Sequence, residues 1–98
     1  MDRQTAIDRL IAHEAELRAM GVTSLSLFGS VARGEAGADS DVDLVARLDD
    51  ERVRTLFDMA GVNYRLAEML GTKVDLVSEG GMKPRFRERV ERDRVHVF

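Results

Sequence analysis

The sequence predicts an α/β fold, a small mixed β-sheet with helices packed on one side, with residues 1–98 forming one domain. Three observations carry this. Short strand-like runs are interspersed with segments of helical periodicity. The 98 residues are enough for one hydrophobic core and leave no room for a second substrate domain. No internal repeat, linker or low-complexity segment divides the chain.

Each element can be justified in turn. Residues 5 to 20 place Ile7, Leu10, Ile11, Leu17 and Met20 at helical spacing, with Thr5 as N-cap and Gly21 as the stop. Ser24 to Phe28 is an apolar-rich run that ends abruptly at Gly29-Ser30, so a turn follows at the carboxyl end of a strand. The small, polar segment Gly34 to Ser40 suits a loop. From Asp41 the residues alternate, with Val42, Leu44 and Ala46 on the buried face of a strand. Asp49 or Asp50 then caps a second helix carrying Val53, Leu56, Phe57, Ala60, Ala67 and Leu70 inward, with Tyr64 packed beside Ala60 and Ala67. It ends at Gly71. Gly61 inside it costs about 1 kcal/mol relative to Ala and allows a bend. Lys73 to Val77 reads as a third strand, Gly80-Gly81 as a turn, and Pro84 as the first turn of a further helix before a last strand from Val95 to Phe98.

Composition narrows the function. Without cysteine there is neither a disulfide framework nor a thiolate zinc site, and a cytoplasmic location is the default. No stretch has the roughly 20 apolar residues that span a bilayer, and the N-terminus lacks the apolar core of a signal peptide. The formal net charge is −3, and there is no Trp and one Tyr. A dedicated nucleic-acid binder needs a more basic whole and aromatic stacking platforms, so direct nucleic-acid binding is not expected. Basic residues crowd the C-terminal stretch, from Lys83 through Arg85, Arg87, Arg89, Arg92 and Arg94, opposed by Glu88, Glu91 and Asp93. Such alternation reads as a solvated helix face, although it could also bind RNA or an acidic partner surface. His13 and His96 have no metal-ligand spacing and read as surface or edge histidines.

The chemistry is concentrated between Phe28 and Leu44. Asp41 and Asp43 are two residues apart, so in a strand both project from the same face. Two like charges this close repel unless one is protonated or a hard cation lies between them, and magnesium prefers such oxygen ligands. Gly29 lets a ligand approach the backbone closely, and Ser30 adds a hydroxyl at the start of a short helical turn. Both suit phosphate, with Arg33 as a nearby cation. Asp75, flanked by Val74 and Leu76, either joins the Asp41/Asp43 face or is an ordinary exposed acid of an edge strand. Ser30 has no local base to make it a nucleophile.

The Gly-Ser pair followed after ten residues by Asp-x-Asp resembles the signature of the polymerase-beta-like nucleotidyltransferase superfamily. The ARGEAGADSDVDL wording and the Lys73 to Val77 strand look most like the minimal nucleotidyltransferases, the antitoxin partners of HEPN-domain ribonuclease toxins. The resemblance spans nearly the whole chain. It implies a nucleotidyltransferase-like single domain with Asp41, Asp43 and Asp75 as catalytic carboxylates that also hold two magnesium ions. Gly29, Ser30 and Arg33 would then bind the nucleotide, ATP being the substrate. It further implies transfer of AMP to a tyrosine hydroxyl of a cognate HEPN toxin within a hetero-oligomer. Two alternatives are an antibiotic or small-molecule nucleotidyltransferase, disfavoured by the short chain, and a binding module that neutralises its partner by contact alone.

Overall fold

The computed structural model describes residues 1–37 and 41–98. The first long helix is divided. Helix α1 (Arg3–Ala12) starts at Asp2, whose Oδ1 accepts the Thr5 backbone N–H at 2.7 Å. Thr5 is therefore inside the helix and not its cap. At His13 the ring Nδ1 lies 2.8 Å from the Arg9 carbonyl, the group that a continuous helix would offer to the His13 N–H. That N–H turns to Leu10 instead, at 3.1 Å, and a second helix, α2 (Glu14–Ala19), begins.

Strand β1 (Val22–Phe28) runs directly into the short helix α3 (Gly29–Arg33), and β2 (Val42–Leu48) follows. Of the expected loop, Ala38, Asp39 and Ser40 lie outside the described residues. Helix α4 (Leu56–Leu70) begins at Thr55 in a capping box. The Thr55 hydroxyl accepts the Asp58 N–H at 3.2 Å, and Asp58 Oδ2 accepts the Thr55 N–H at 3.0 Å. Asp49, expected to cap this helix, accepts the Glu51 N–H in the preceding turn. Gly61 does not interrupt α4, and Gly71 ends it in the left-handed region at φ 69°.

The inward face of α4 also differs from expectation. Leu56 and Phe57 are 87% and 90% exposed and Tyr64 is exposed as well, while Val62, Leu66, Met69 and Leu70 are buried. The helix carries apolar residues on two faces, so periodicity alone could not choose between them, and the sheet takes the one nearer its C-terminus. Strand β3 (Val74–Ser78), a 3₁₀ turn (Glu79–Gly81), α5 (Pro84–Asp93) and β4 (Val95–His96) complete the chain, with Pro84 at the start of α5.

The four strands form one mixed sheet in the order β3-β2-β1-β4. β2 pairs antiparallel with β1 and parallel with β3, and β4 pairs antiparallel with β1. Past β4 the pairing continues through the Val97 N–H to the Leu25 carbonyl and the Leu25 N–H to the Phe98 carbonyl, each 2.9 Å. Leu25, Leu27, Val42, Leu44, Ala46 and Val74 occupy one sheet face and pack with Leu10 and Leu17 of the first two helices and Leu66 and Leu70 of α4. Helix α5 lies over the other face, where Val90 and Phe86 close a smaller cluster with Phe28, Val45 and Val77.

A buried ion cluster fastens this last layer. Glu79, 6% exposed, receives Arg47 Nη2 at 2.8 Å and Nε at 3.1 Å, and pairs with Arg94 through its other oxygen. Arg94 Nε also reaches Ser26 Oγ on β1 at 3.0 Å. Burial alone would raise the Glu79 carboxyl, but the hydrogen bonds from Arg94 and Arg47 outweigh it and hold the group below its ordinary value. A lowered folded-state value means that this stabilisation is present above the unfolded value and is lost as pH falls through the folded one. Glu79→Ala is expected to cost about 2–3 kcal/mol, less than the loss of a fully buried pair because Arg47 is already largely in solvent. Urea denaturation would measure this, and the difference from wild type should shrink on acidification.

Candidate active site

The site is built at the point where β1 ends. Asp43 on β2 stands in register between Phe28 of β1 and Asp75 of β3, and directly opposed residues project from the same sheet face. Asp75 therefore joins Asp43 on the face away from Leu44 and Leu76. Asp75 is also exposed on the edge strand β3, so the register sets it beside Asp43 while leaving it open to solvent. Gly29, immediately after Phe28, turns the chain at φ 73°. A Cβ at this position would come within 2.2 Å of Asp43 Oδ2, so the carboxylate lies in the space that only glycine leaves free.

An open cavity of about 360 Å³ lies above these residues, lined by Phe28, Gly29, Ser30, Arg33, Asp43, Asp75, Phe86, Arg89 and Asp93. Gly29, Ser30, Arg33, Asp43 and Asp75 are thus brought together. Asp41, just before β2, is exposed and does not line the cavity, although its charge is felt at Asp43. Arg33 is committed to two acids, its Nε 2.9 Å from Glu35 Oε2 and its Nη1 2.7 Å from Asp93 Oδ2.

The C-terminal basic stretch contributes a wall to the cavity. Phe86, Arg89 and Asp93 of α5 share one helix face, and the Phe86 ring meets Phe28 edge-on, with centroids 5.7 Å apart at 88°. Reading this stretch as a solvated face missed them. The available signal was the 86-89-90-93 spacing, which puts Phe86 and Val90 inward beside Arg89 and Asp93.

The electrostatics are unfavourable to the bare acids. Burial, then the charges of Asp75 and Asp41, raise the Asp43 carboxyl above its ordinary value, and Arg33 only partly opposes them. Among the described residues no three acids or histidines converge into a complete metal cage. The expected three-acid set is therefore not assembled, and what the cavity offers is a pair; magnesium commonly takes one or two protein carboxylates together with substrate phosphates. The adjacent Asp43 and Asp75, with an anionic excess at Asp43, fit such an ion.

Comparison with known proteins identifies the family. Residues 10–97 match the nucleotidyltransferase domain family, and the chain belongs to it. The protein adenylyltransferase MntA of Thermococcus cleftensis is 39% identical over 89 residues, which cover 90% of this chain and 88% of that protein. A solved structure described as a minimal nucleotidyltransferase superposes with a TM-score of 0.80 at 42% identity, covering 97% of this chain and 95% of the other. An MNT antitoxin in complex with tri-AMPylated HEPN toxin of Shewanella oneidensis shares the fold, with a TM-score of 0.70 at 18% identity over 98% of this chain and 71% of the other. The protein is thus a nucleotidyltransferase. No described helix is long and apolar enough to cross a membrane.

Two outcomes follow from this geometry. Gly29→Ala combines a left-handed backbone, costing about 1–2 kcal/mol for a residue with a Cβ, with displacement of Asp43. Nucleotidyl transfer should fall by about a hundredfold, as expected for misplacing a reacting group by an ångström, while circular dichroism still reports a folded chain. Asp43 binds its proton more readily in the folded chain than in the unfolded one. Ionisation therefore penalises folding above the folded-state value, and the penalty disappears below the unfolded one. Asp43→Asn should accordingly raise the melting temperature at neutral pH and lose that advantage in acid.

Proposed function

We propose that this chain is an antitoxin that transfers AMP from ATP to a tyrosine hydroxyl of a cognate HEPN-domain ribonuclease toxin and thereby silences it. The pairing of Asp43 with Asp75 beside the Gly29-Ser30 turn carries the proposal, because it puts acids for a cation next to a phosphate-sized opening. The similarity to MntA across most of both chains supports a protein as the acceptor.

In this mechanism the Gly29 backbone and the Ser30 hydroxyl hold phosphate oxygens, and Arg33 contributes positive charge from α3. Asp43 and Asp75, with Asp41 at the entrance to β2, would hold two magnesium ions. Magnesium held there would supply neutralisation of phosphate charge and a lowered pKa for the acceptor hydroxyl. The acceptor oxygen attacks the α-phosphorus in line, forming the new P–O bond as the bond to the β-phosphate oxygen breaks and pyrophosphate departs. Asp75 helps take the hydroxyl proton. The cytoplasm, where ATP and magnesium are plentiful and thiols stay reduced, suits a cysteine-free chain.

Inhibition by contact without turnover is the second reading, favoured by Leu56, Phe57 and Tyr64 standing exposed on α4. Both readings are tested by purifying the chain with the protein that accompanies it from its host, adding magnesium and ATP, and weighing the intact partner. An AMP-sized adduct is expected, and Asp43→Asn should reduce its formation by at least about a thousandfold, as for loss of a principal group of a catalytic set. A tight complex with no adduct would overturn the catalytic reading in favour of contact.

A further inference from the structure

Helix α5 carries four arginines, with Lys83 before it and Arg94 after it, yet only one of these cations lines the cavity: Arg89. Its neighbours are directed elsewhere. Arg87 donates from Nη2 to the Glu79 carbonyl at 3.0 Å, and Arg94, just past the helix, is bound into the Glu79 cluster. Arg33, the other cavity arginine, is engaged by Glu35 and Asp93. Among the described residues Arg89 makes no hydrogen bond or ion pair, so a cavity already holding Asp43, Asp75 and Asp93 contains one guanidinium whose donors remain available.

The placement of Arg89 is fixed from below. Val90, its neighbour on the helix, is buried, and Phe86 one turn earlier is wedged edge-on against Phe28. Arg89 comes from α5, a different wall of the cavity from the strands that carry Asp43 and Asp75, so it meets a ligand from a side other than that of the acids. A nucleoside triphosphate carries most of its negative charge on the β- and γ-phosphates, and a guanidinium fork matches two phosphate oxygens at once. We infer that Arg89 binds the β- and γ-phosphates of the nucleotide, so that α5 is the element that distinguishes a triphosphate from a monophosphate. This rests on the nucleotide reading given above and adds to it a residue outside the Gly-Ser and Asp-x-Asp segment.

Isothermal titration of the full chain with MgATP and with MgAMP separates the two. In Arg89→Ala, MgATP binding should weaken about ten- to a hundredfold, the range for losing a charged hydrogen-bonding partner, while MgAMP binding stays within about twofold. Arg89→Lys, which keeps the charge and loses the fork, should fall between. The side chain is exposed, and unchanged melting temperatures of both variants would establish that folding is intact. Unchanged MgATP affinity in Arg89→Ala would overturn the inference while leaving nucleotide binding in place. Equal weakening toward both nucleotides would also overturn it, by assigning Arg89 a general rather than a tail-specific role. Wild-type protein that binds neither nucleotide would overturn the nucleotide reading itself, and this inference with it.

Discussion

The contact between the Asp43 carboxylate and the bare Cα of Gly29 is the constraint on which the site depends. It makes the end of one strand and the start of the next interlock, because Asp43 occupies the volume that a side chain at residue 29 would need. The left-handed turn at Gly29 sets the direction in which α3 leaves the sheet, and so brings Ser30 and Arg33 to the same opening. Register does the rest. With Phe28 opposite Asp43 and Asp43 opposite Asp75, two strand pairings of different sense deliver both acids to one face. A slip of one residue in either pairing would send a carboxylate into the apolar core.

That face can carry charge because the opposite one is apolar. Val42, Leu44 and Ala46 are essentially inaccessible, and each fully buried aliphatic side chain contributes about 1.5–3 kcal/mol relative to exposure. The central strand therefore tolerates an acid whose ionisation its own neighbours oppose. Asp43 is unfavourable in the chain alone, and under the proposed function a bound cation would offset that cost, the usual relation between a local cost to folding and a binding function.

Much of this was legible in the sequence. The abrupt end of SLSLF at Gly29-Ser30 and the alternation from Val42 to Ala46 are local patterns that fix which way strand side chains point, whereas Asp41 falls just before β2 and off the cavity, and the alternation around Asp75 left its partner open until the register was known. Whatever depended on a choice among competing partners was not legible. His13 offered its ring to a carbonyl that its backbone would have used, Thr55 outcompeted Asp49 and Asp50 as a cap, and α4 had two apolar faces of which tertiary packing selected one. The contribution of α5 to the cavity was obscured because its inward face is mixed. Phe86 and Val90 are too few to stand out among its charges, and their meaning depends on Phe28 and Val45, which are far away in sequence.

The attachment of α5 also gives the cavity two kinds of wall. Its floor is a sheet held by dry apolar packing, whereas α5 adds to the apolar contacts of Phe86 and Val90 two ion pairs at its C-terminal end: Asp93 to Arg33, and Arg94 to Glu79 just beyond the helix. The Asp93–Arg33 bond is partly exposed to solvent, and mobile ions weaken such contacts far more than they weaken hydrophobic contacts. Ionic strength thus acts unevenly on this molecule. Salt acts first on the partly exposed Arg33–Asp93 contact at the C-terminal end of α5, while Phe86 and Val90 keep the helix seated on the sheet by contacts that mobile ions do not screen.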